Sequence, residues 1–471
     1  MDYKFLVTSH TDHVTHGTTF VVQEGQKKSG SEFVHQAVLS GASKIIFGKS
    51  NFDKELLLFL KTNNIAIDFV NDTRLELSKL SAAAYNNPAS KLNIIGVTGT
   101  KGKTSSVFLI YHILKKLNIN VAIMSGVYCE VGDLKIKSSL TTPQPDFIHW
   151  FLNEAVIRGA THVVMEASAQ AFSLSRLAHV HFTVGLFTNF SSEHLEFYKD
   201  LDDYFAAKLL LVNHIKENGF FVVNQDDQSY PKVINKFADI NPKNLNLKTF
   251  SCQSIDTDFY YEINNCFPVE ISHQDLSIKT SLVGKFNAVN LAGVLSVVSS
   301  LGFPYNSLVD VLNDFAGVPG RMEKYALSNG AWAIIDYAHN PSSYESFFSA
   351  VSTLTNNLIV VFGCGGERDP ARRPVMGRIA ANYSSTIILT TDNCRSENPL
   401  DIIFDIKSGI SDALQAKIII EPDRARAIKL AYEISSAGSL ISILGKGPDE
   451  YQEINGIKFY FSDVQEILKY S

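Results

Sequence analysis

The stretch Thr98-Gly-Thr-Lys-Gly-Lys-Thr-Ser105 is the part of this sequence best suited to hold a polyanion. Gly99 and Gly102 let the backbone turn its N–H groups inward, and Thr100, Lys101 and Ser105 complete the loop. Lys103 adds positive charge, and the Thr104 hydroxyl can ligate Mg2+. A strict nucleotide loop begins with a small residue five positions before Gly102; Val97 stands there, so the match is imperfect. Three other side chains suit a metal that accompanies phosphate. Glu166 ends an apolar run, where a carboxylate can meet Mg2+ or simply face solvent. His194 follows another apolar run in an acidic turn and can ligate a metal or orient a phosphate. Lys208 lies in an otherwise apolar helical segment, where an ammonium is costly unless it is paired, modified or snorkelling to the surface. Asn290, near the start of a helix, can meet an adenine edge or act as a capping-turn residue.

These residues need a scaffold that brings strand ends together, and the hydrophobic pattern supplies one. From Met1 to Pro88 short strands (4–7, 19–22, 43–47) alternate with helices (31–40, 52–61), and Asn86-Asn87-Pro88 reads as a linker. No catalytic cluster is visible there, so binding is the expected role of residues 1–88. Residues 89–318 begin at the phosphate loop and alternate strands with helices, which predicts a mostly parallel sheet; the strand-like runs 259–263 and 276–282 are expected to extend it. Residues 319–471 alternate most regularly, with runs ending at Asp336, Gly363, Asp392, Glu421 and Gly445. That is the pattern of a doubly wound, Rossmann-like domain with a ligand cleft at its strand ends. The expected fold is therefore α/β in three domains, with a nucleotide-loop ATPase domain in the centre.

With 471 residues, 45% hydrophobic and 19% charged, the chain reads as a multidomain globular protein. Its net charge of −6 argues against a nucleic-acid partner. Five scattered cysteines without a Cys-x-x-Cys pair fit a reducing compartment. No apolar run reaches the ~20 residues of a membrane span, so a cytoplasmic protein without membrane insertion is expected, and a monomer.

The order of motifs resembles the Mur ligase family, most closely its UDP-N-acetylmuramoyl-tripeptide synthetase branch. The resemblance is carried by the phosphate loop, Thr-Thr-Pro at 141–143, Met-Glu-Ala-Ser at 165–168 and Thr-Asn-Phe-Ser-Ser-Glu-His at 188–194. It continues through Gly-Arg-Met-Glu at 320–323, Asp-Tyr-Ala-His-Asn-Pro at 336–341 and Phe-Gly-Cys-Gly-Gly-Glu-Arg-Asp at 362–369. Arg-Arg-Pro-Val-Met-Gly at 372–377, Thr-Asp-Asn-Cys-Arg at 391–395 and Gly-Lys-Gly-Pro-Asp at 445–449 complete it. The family implies ATP-dependent amide ligation through an acyl phosphate, as a step of peptidoglycan precursor synthesis. By the resemblance Lys103 and the loop amides hold ATP phosphates, and Thr104, Glu166 and His194 place Mg2+ ions. Lys208 is carbamylated and joins the metal ligands, Asn290 meets adenine, Asp336 the ribose and Arg321 the γ-phosphate.

The resemblance also implies that Thr141, Thr142, Ser168 and Arg176 bind a UDP-muramoyl-peptide, and that Arg373, Asp392, Asn393, Arg395, Gly445 and Asp449 bind the incoming amino acid. The retained arginine of Asp392-Asn393-Cys394-Arg395 implies meso-diaminopimelate, because a guanidinium fork matches a carboxylate and repels the ammonium end of L-lysine. Several positions depart from the family. Leu174 replaces a glutamine, Cys394 a proline and Pro448-Asp449 a His-Glu, and His10-Thr11-Asp12 stands in place of an Asp-Ser-Arg that serves the uridine diphosphate. Alternatives are an L-lysine-adding enzyme, a Mur-like ligase recruited to another carboxylate, or a catalytically silent homologue that senses nucleotide.

Overall fold

The structure is a computed structural model that describes residues 4–25, 29–49, 53–191, 197–240 and 244–471. Four parallel strands, β1 (Val7–Thr8), β2 (Thr19–Val21), β3 (Lys44–Gly48) and β4 (Ala66–Val70), pair in sequence order. The helices around them are Val34–Leu39, entered through a 3-10 turn at Gly30–Phe33, then Lys54–Thr62 and Thr73–Ala84. The last two begin at aspartates, Asp53 and Asp72, whose carboxylates accept from first-turn amides.

A larger sheet follows, built from β5 (Asn93–Thr98), β6 (Val121–Met124), β7 (Tyr128–Val131), β8 (Leu134–Lys137), β9 (His162–Glu166), β10 (Phe182–Phe187), β11 (Ile215–Asn224), β12 (Asn246–Ser251) and β13 (Phe259–Tyr260). Its order is β13-β12-β11-β10-β5-β9-β6-β7-β8, parallel from β13 to β6 and antiparallel in the β6-β7-β8 meander. The central strands carry near-continuous buried apolar runs, Ile94, Ile95 and Val97 in β5 and Val163, Val164 and Met165 in β9, as a sheet covered on both faces requires. The expectation that residues 276–282 extend this sheet is corrected. Leu276–Lys279 (β16) pairs instead with Val269–His273 (β15), which pairs with Glu262–Cys266 (β14), and only Phe259–Tyr260 joins the large sheet. Its period of two fits any half-buried antiparallel strand and does not say which sheet it joins.

The third region has β17 (Glu323–Ala326), β18 (Trp332–Asp336), β19 (Leu358–Phe362), β20 (Thr386–Leu389), β21 (Ile418–Ile420) and β22 (Leu440–Leu444) in the order β17-β18-β22-β19-β20-β21. All neighbours are parallel except the antiparallel β17-β18 pair. A hairpin of β23 (Tyr451–Ile454) and β24 (Ile457–Tyr460) stands beside it in sequence.

The chain folds into two compact units, residues 1–262 with 272–278 and 289–312, and residues 263–271 and 279–288 with 313–471. The sequence separates 1–88 from the rest, yet the first unit holds both it and the large sheet. Thr8 Oγ1 donates to buried Asp146 at 2.6 Å, Phe5 and Trp150 rings lie 5.8 Å apart, and His179 Nδ1 is 3.2 Å from Ser78 Oγ. These contacts bridge Asn86-Asn87-Pro88, so the turn there is a corner within one unit rather than a free linker. Among the described residues no helix is long and apolar enough to cross a membrane.

Candidate active site

In the first unit the parallel pairings β10-β5-β9 bring three strand ends to one edge, with Val97 opposite Glu166 and Thr98 opposite Phe187. The loop Gly99–Gly102 leaves β5 there and enters the helix Lys103–Lys116, whose cap residue Gly102 has φ +84° and offers no capping side chain. First-turn amides that no side chain caps can serve an anion. The loop is strapped by the residues after β10. Thr100 N donates to Asn189 O at 2.9 Å, Lys101 N to Asn189 Oδ1 at 2.9 Å, and Ser191 N to Thr100 Oγ1 at 3.0 Å. Thr188 Oγ1 donates to Lys101 O at 2.7 Å. Gly99 has φ +142°, and a Cβ there would stand 1.9 Å from Thr188 Oγ1, so only glycine fits under the strap. Thr188, Asn189 and Ser191 were legible only as part of a motif. Their role follows from a polar run leaving a strand parallel to β5.

Lys103 Nζ donates to Gly99 O at 2.9 Å and Thr100 O at 3.0 Å, which keeps the amine at the loop. Asn290 lies against it, since a Cβ on Gly102 would be 2.3 Å from Asn290 Oδ1. Glu166 is buried. Its Oε1 accepts from Thr104 Oγ1 at 3.0 Å and Gly126 N at 2.8 Å, and among the described residues no lysine or arginine forms an ion pair with it. A buried carboxylate met by a hydroxyl and an amide, at the mouth of an anion cradle, is a donor set that fits a hard divalent cation. Ser105 lies in the same first helical turn as Thr104.

Glu166 also connects this cradle to the next group. Thr142 Oγ1 donates to Glu166 O at 2.9 Å and lies 3.1 Å from Ser168 Oγ, while Ser168 N donates to Thr142 Oγ1 at 3.1 Å. Arg176 Nη1 donates to Thr142 O at 2.8 Å, and its buried Nε has no protein partner. Burial, with Arg74 nearby, pulls the Arg176 guanidinium below its usual pKa. Both effects disfavour the cation in the absence of an anion. The Thr141 Cα lies 3.4 Å from where a Gly126 Cβ would be, so it belongs to this wall. Lys208 is buried at 1% exposure in the helix Leu201–Asn213, its Nζ 4.4 Å from the Tyr204 ring centroid. His194 lies outside the described residues. Among those described, no three His, Cys, Asp or Glu side chains gather as a metal cluster.

In the second unit the parallel strands again align their carboxyl ends. Asp336, ending β18, accepts from Met322 N at 2.9 Å and Ala338 N at 2.8 Å. Burial raises its pKa, opposed by the Arg321 guanidinium and those two amides. The Arg321 guanidinium stacks 4.5 Å from the Tyr337 ring centroid. After β20, Asp392 Oδ1 accepts from Asn393 N, and a Cβ at Gly445 would be 2.5 Å from Asp392 Oδ2. Lys446 is fully buried, donates to Tyr451 O, and is held below its usual pKa by burial, opposed by Asp392. Asp449 N donates to Lys446 O at 2.9 Å, which turns Asp449 back over that lysine. Arg395 Nη1 donates to Gly366 O, and its Nε lies 3.5 Å from Glu453 Oε2.

Arg373 is placed differently from a side chain open to a ligand. Its buried guanidinium donates to Glu397 Oε2 at 2.7 Å and Asp405 Oδ2 at 2.9 Å, and both acids drive its pKa up against the burial penalty. Glu397 in turn accepts from Glu367 N, so Arg373 braces the two loops that flank Arg395. Sequence reasoning missed Glu453 and the pair of Arg424 with Asp463, because neither lies in a motif or beside one.

Two family models match the chain, the Mur ligase middle domain over residues 97–298 and the Mur ligase glutamate ligase domain over residues 320–447. A UDP-N-acetylmuramoyl-L-alanyl-D-glutamate--2,6-diaminopimelate ligase of Aquifex aeolicus is 34% identical over 478 residues, spanning 99% of this chain and 95% of that protein. This chain belongs to the Mur ligase family. The ligase of the same name from Cytophaga hutchinsonii is 31% identical, over 97% of this chain and 92% of that one. A solved Mur ligase structure, of a UDP-N-acetylmuramoyl-L-alanyl-D-glutamate--2,6-diaminopimelate ligase, superposes with a TM-score of 0.66 at 28% identity, covering 99% of this chain and 94% of the other. Family membership makes this chain an ATP-dependent ligase, and the similarity extends through residues 1–88 despite the altered His10-Thr11-Asp12 segment.

Proposed function

We propose that this Mur ligase joins meso-diaminopimelate to UDP-N-acetylmuramoyl-L-alanyl-D-glutamate in peptidoglycan precursor synthesis. The observation that carries the reading is end-to-end similarity to relatives of that name, in a chain that keeps Arg395 beside Asp392 and Asn393. In the reaction a carboxylate oxygen of the glutamyl substrate bonds to the γ-phosphorus and ADP leaves. The amine of the acceptor then attacks the acyl carbon, an amide forms, and inorganic phosphate and a proton depart.

This chemistry needs positioning and charge compensation more than a nucleophilic side chain. The amides of Gly99–Ser105 and the Lys103 amine would hold the β- and γ-phosphates, with Asn290 against the base. By the resemblance Arg321 would meet the γ-phosphate and Asp336 the ribose. Thr104 and Glu166, with His194 and a carbamylated Lys208, would hold Mg2+. The metal would offset the charge that gathers on the transferred phosphoryl group. Thr141, Thr142, Ser168 and Arg176 would bind the UDP-muramoyl-peptide on the far side of Glu166, and residues 1–88 its uridine diphosphate end. Asn393, Arg395, Gly445 and Asp449 would take the acceptor, with Asp392 and Arg373 supporting their loops. We further propose that the enzyme is cytoplasmic and monomeric, and that residues 89–318 and 319–471 act as the ATP and acceptor domains.

The test is phosphate release by the purified chain. Release is expected only when ATP, Mg2+, the UDP-muramoyl-dipeptide and meso-diaminopimelate are all present, with L-lysine a poor substitute. Arg395→Ala should raise the Michaelis constant for diaminopimelate by about tenfold or more, as loss of a charge-assisted pair implies. Equal or faster ligation of L-lysine by the unmutated chain would overturn the assignment of the acceptor. Indifference to the UDP-sugar would overturn the assignment of the precursor.

A further inference from the structure

The Arg395 guanidinium is not alone in its loop. The hairpin strand β23 runs alongside Asp392–Arg395 and is fastened to it at four points. Gln452 Nε2 donates to Thr391 O at 3.4 Å, Glu453 N to Asn393 Oδ1 at 2.9 Å, Arg395 N to Glu453 O at 2.9 Å, and Asn455 N to Arg395 O at 2.8 Å. The Glu453 backbone is thus held through both its N–H and its C=O, and its side chain stands beside that of Arg395. The two head groups face each other at 3.5 Å, each side chain about one-fifth to one-quarter exposed. That distance is a loose ion pair rather than a bidentate clasp, so both groups keep hydrogen-bonding capacity for a ligand.

An acceptor with a second amino-acid centre carries a carboxylate and an ammonium on one carbon. A guanidinium and a carboxylate set side by side are its mirror in charge. We propose that Glu453 is a specificity-determining residue that receives the distal ammonium of the acceptor while Arg395 receives the distal carboxylate. The inference rests on the diaminopimelate reading above, and it gives that reading a two-point recognition rule. A distal ammonium alone, as in lysine, is drawn by Glu453 and repelled by Arg395. A distal carboxylate alone is drawn by Arg395 and repelled by Glu453. Only the zwitterion satisfies both, and each wrong ligand leaves one partly exposed charge opposed. Asp449, the shortened carboxylate of the Gly445–Asp449 loop, lies in the same neighbourhood, since both it and Glu453 push up the Tyr451 phenol after burial has done so. Glu453, however, is the carboxylate that faces the Arg395 fork.

The experiment uses the full chain with saturating ATP, Mg2+ and UDP-muramoyl-dipeptide, and compares meso-diaminopimelate with 2-aminopimelate, which lacks the distal ammonium. For the unmutated enzyme the Michaelis constant should be on the order of tenfold or more higher for 2-aminopimelate. In Glu453→Gln the constant for diaminopimelate should rise by a similar factor while kcat and the constant for ATP stay within about twofold, so that the ratio between the two acceptors falls toward one. Glu453→Asp, which keeps the charge, should retain an intermediate ratio, and it serves if the glutamine variant folds poorly. A ratio unchanged in both variants, even with both constants raised, would mean that Glu453 only braces the loop and would overturn the proposal. Failure of the unmutated enzyme to use diaminopimelate would instead remove the functional reading on which it stands.

Discussion

Lys208 is the residue whose surroundings ask most of its chemistry. It sits at 1% exposure in a helix whose other buried positions are Tyr204, Phe205, Ala207, Leu209, Leu211 and Val212. A protonated amine in such a place carries a large desolvation cost, whereas a carbamate would be a carboxylate able to ligate a cation. The intact mass of the native protein, measured at neutral pH in bicarbonate, should therefore exceed the sequence mass by one carbon dioxide, and Lys208→Ala should remove both the added mass and nearly all ligation. Partial recovery of the variant by short carboxylates would fit; an unmodified, fully active lysine would refute the assignment. Much of the residue-scale reading was available beforehand, because Lys103, Thr104, Glu166 and Asn290 lie within or beside glycine-rich or strand-end signals. Arg373 was not readable in the same way. Its partners are distant in sequence, Glu397 in a polar turn and Asp405 in the amphipathic helix Pro399–Ser408, so nothing in the chain announces that its guanidinium is already taken.

At the scale of elements, the phosphate loop owes its shape to a neighbouring strand as much as to its own glycines. Gly99 lies beneath Thr188, which is held by its own bonds to Thr98 O at 3.2 Å and Lys101 O at 2.7 Å and cannot swing aside without breaking them. Gly99→Ala should cost about 1–3 kcal/mol from the left-handed backbone and the displaced threonine. Calorimetry should register this as a Tm lowered by a few degrees, and the stabilisation normally conferred by ATP should be lost. An alanine variant with unchanged Tm and unchanged ATP response would show that the strap is dispensable. Strand and helix positions were legible here from periodicity, down to Glu166 at the end of β9. The strapping by Thr188–Ser191 was not, since pairing order in a parallel sheet is a property of the folded sheet and not of any local run. The assignment of residues 276–282 failed for the same reason.

At the scale of the whole molecule, a fully buried ion pair ties distant parts of the second unit together. Arg424 Nε and Nη2 meet the two Asp463 oxygens at 2.7 Å each, and Nη2 also donates to Leu444 O at 3.0 Å, the carbonyl just before Gly445. Neither side chain has any exposure. Removing one partner leaves an uncompensated buried charge, so Arg424→Met or Asp463→Leu alone should destabilise the unit by about 3–5 kcal/mol, while the double variant should regain much of the loss. Denaturant titration of the three variants measures this, and additive losses would rule out a coupled pair. The same arginine supports the loop that ends in Asp449, so the single variants should also weaken acceptor binding more than ATP binding. The pair spans 39 residues of sequence, and this has a consequence for how the protein is made. A ribosome delivers the phosphate loop before Arg424, and Arg424 before Asp463. Until that aspartate has emerged, Arg424 lacks its bidentate partner, with Asp392 the other acid that acts on it. A chain stopped just short of Asp463 is therefore expected to keep the strapped phosphate loop while the loop after Leu444 loses its tie, which limited proteolysis of that loop would register.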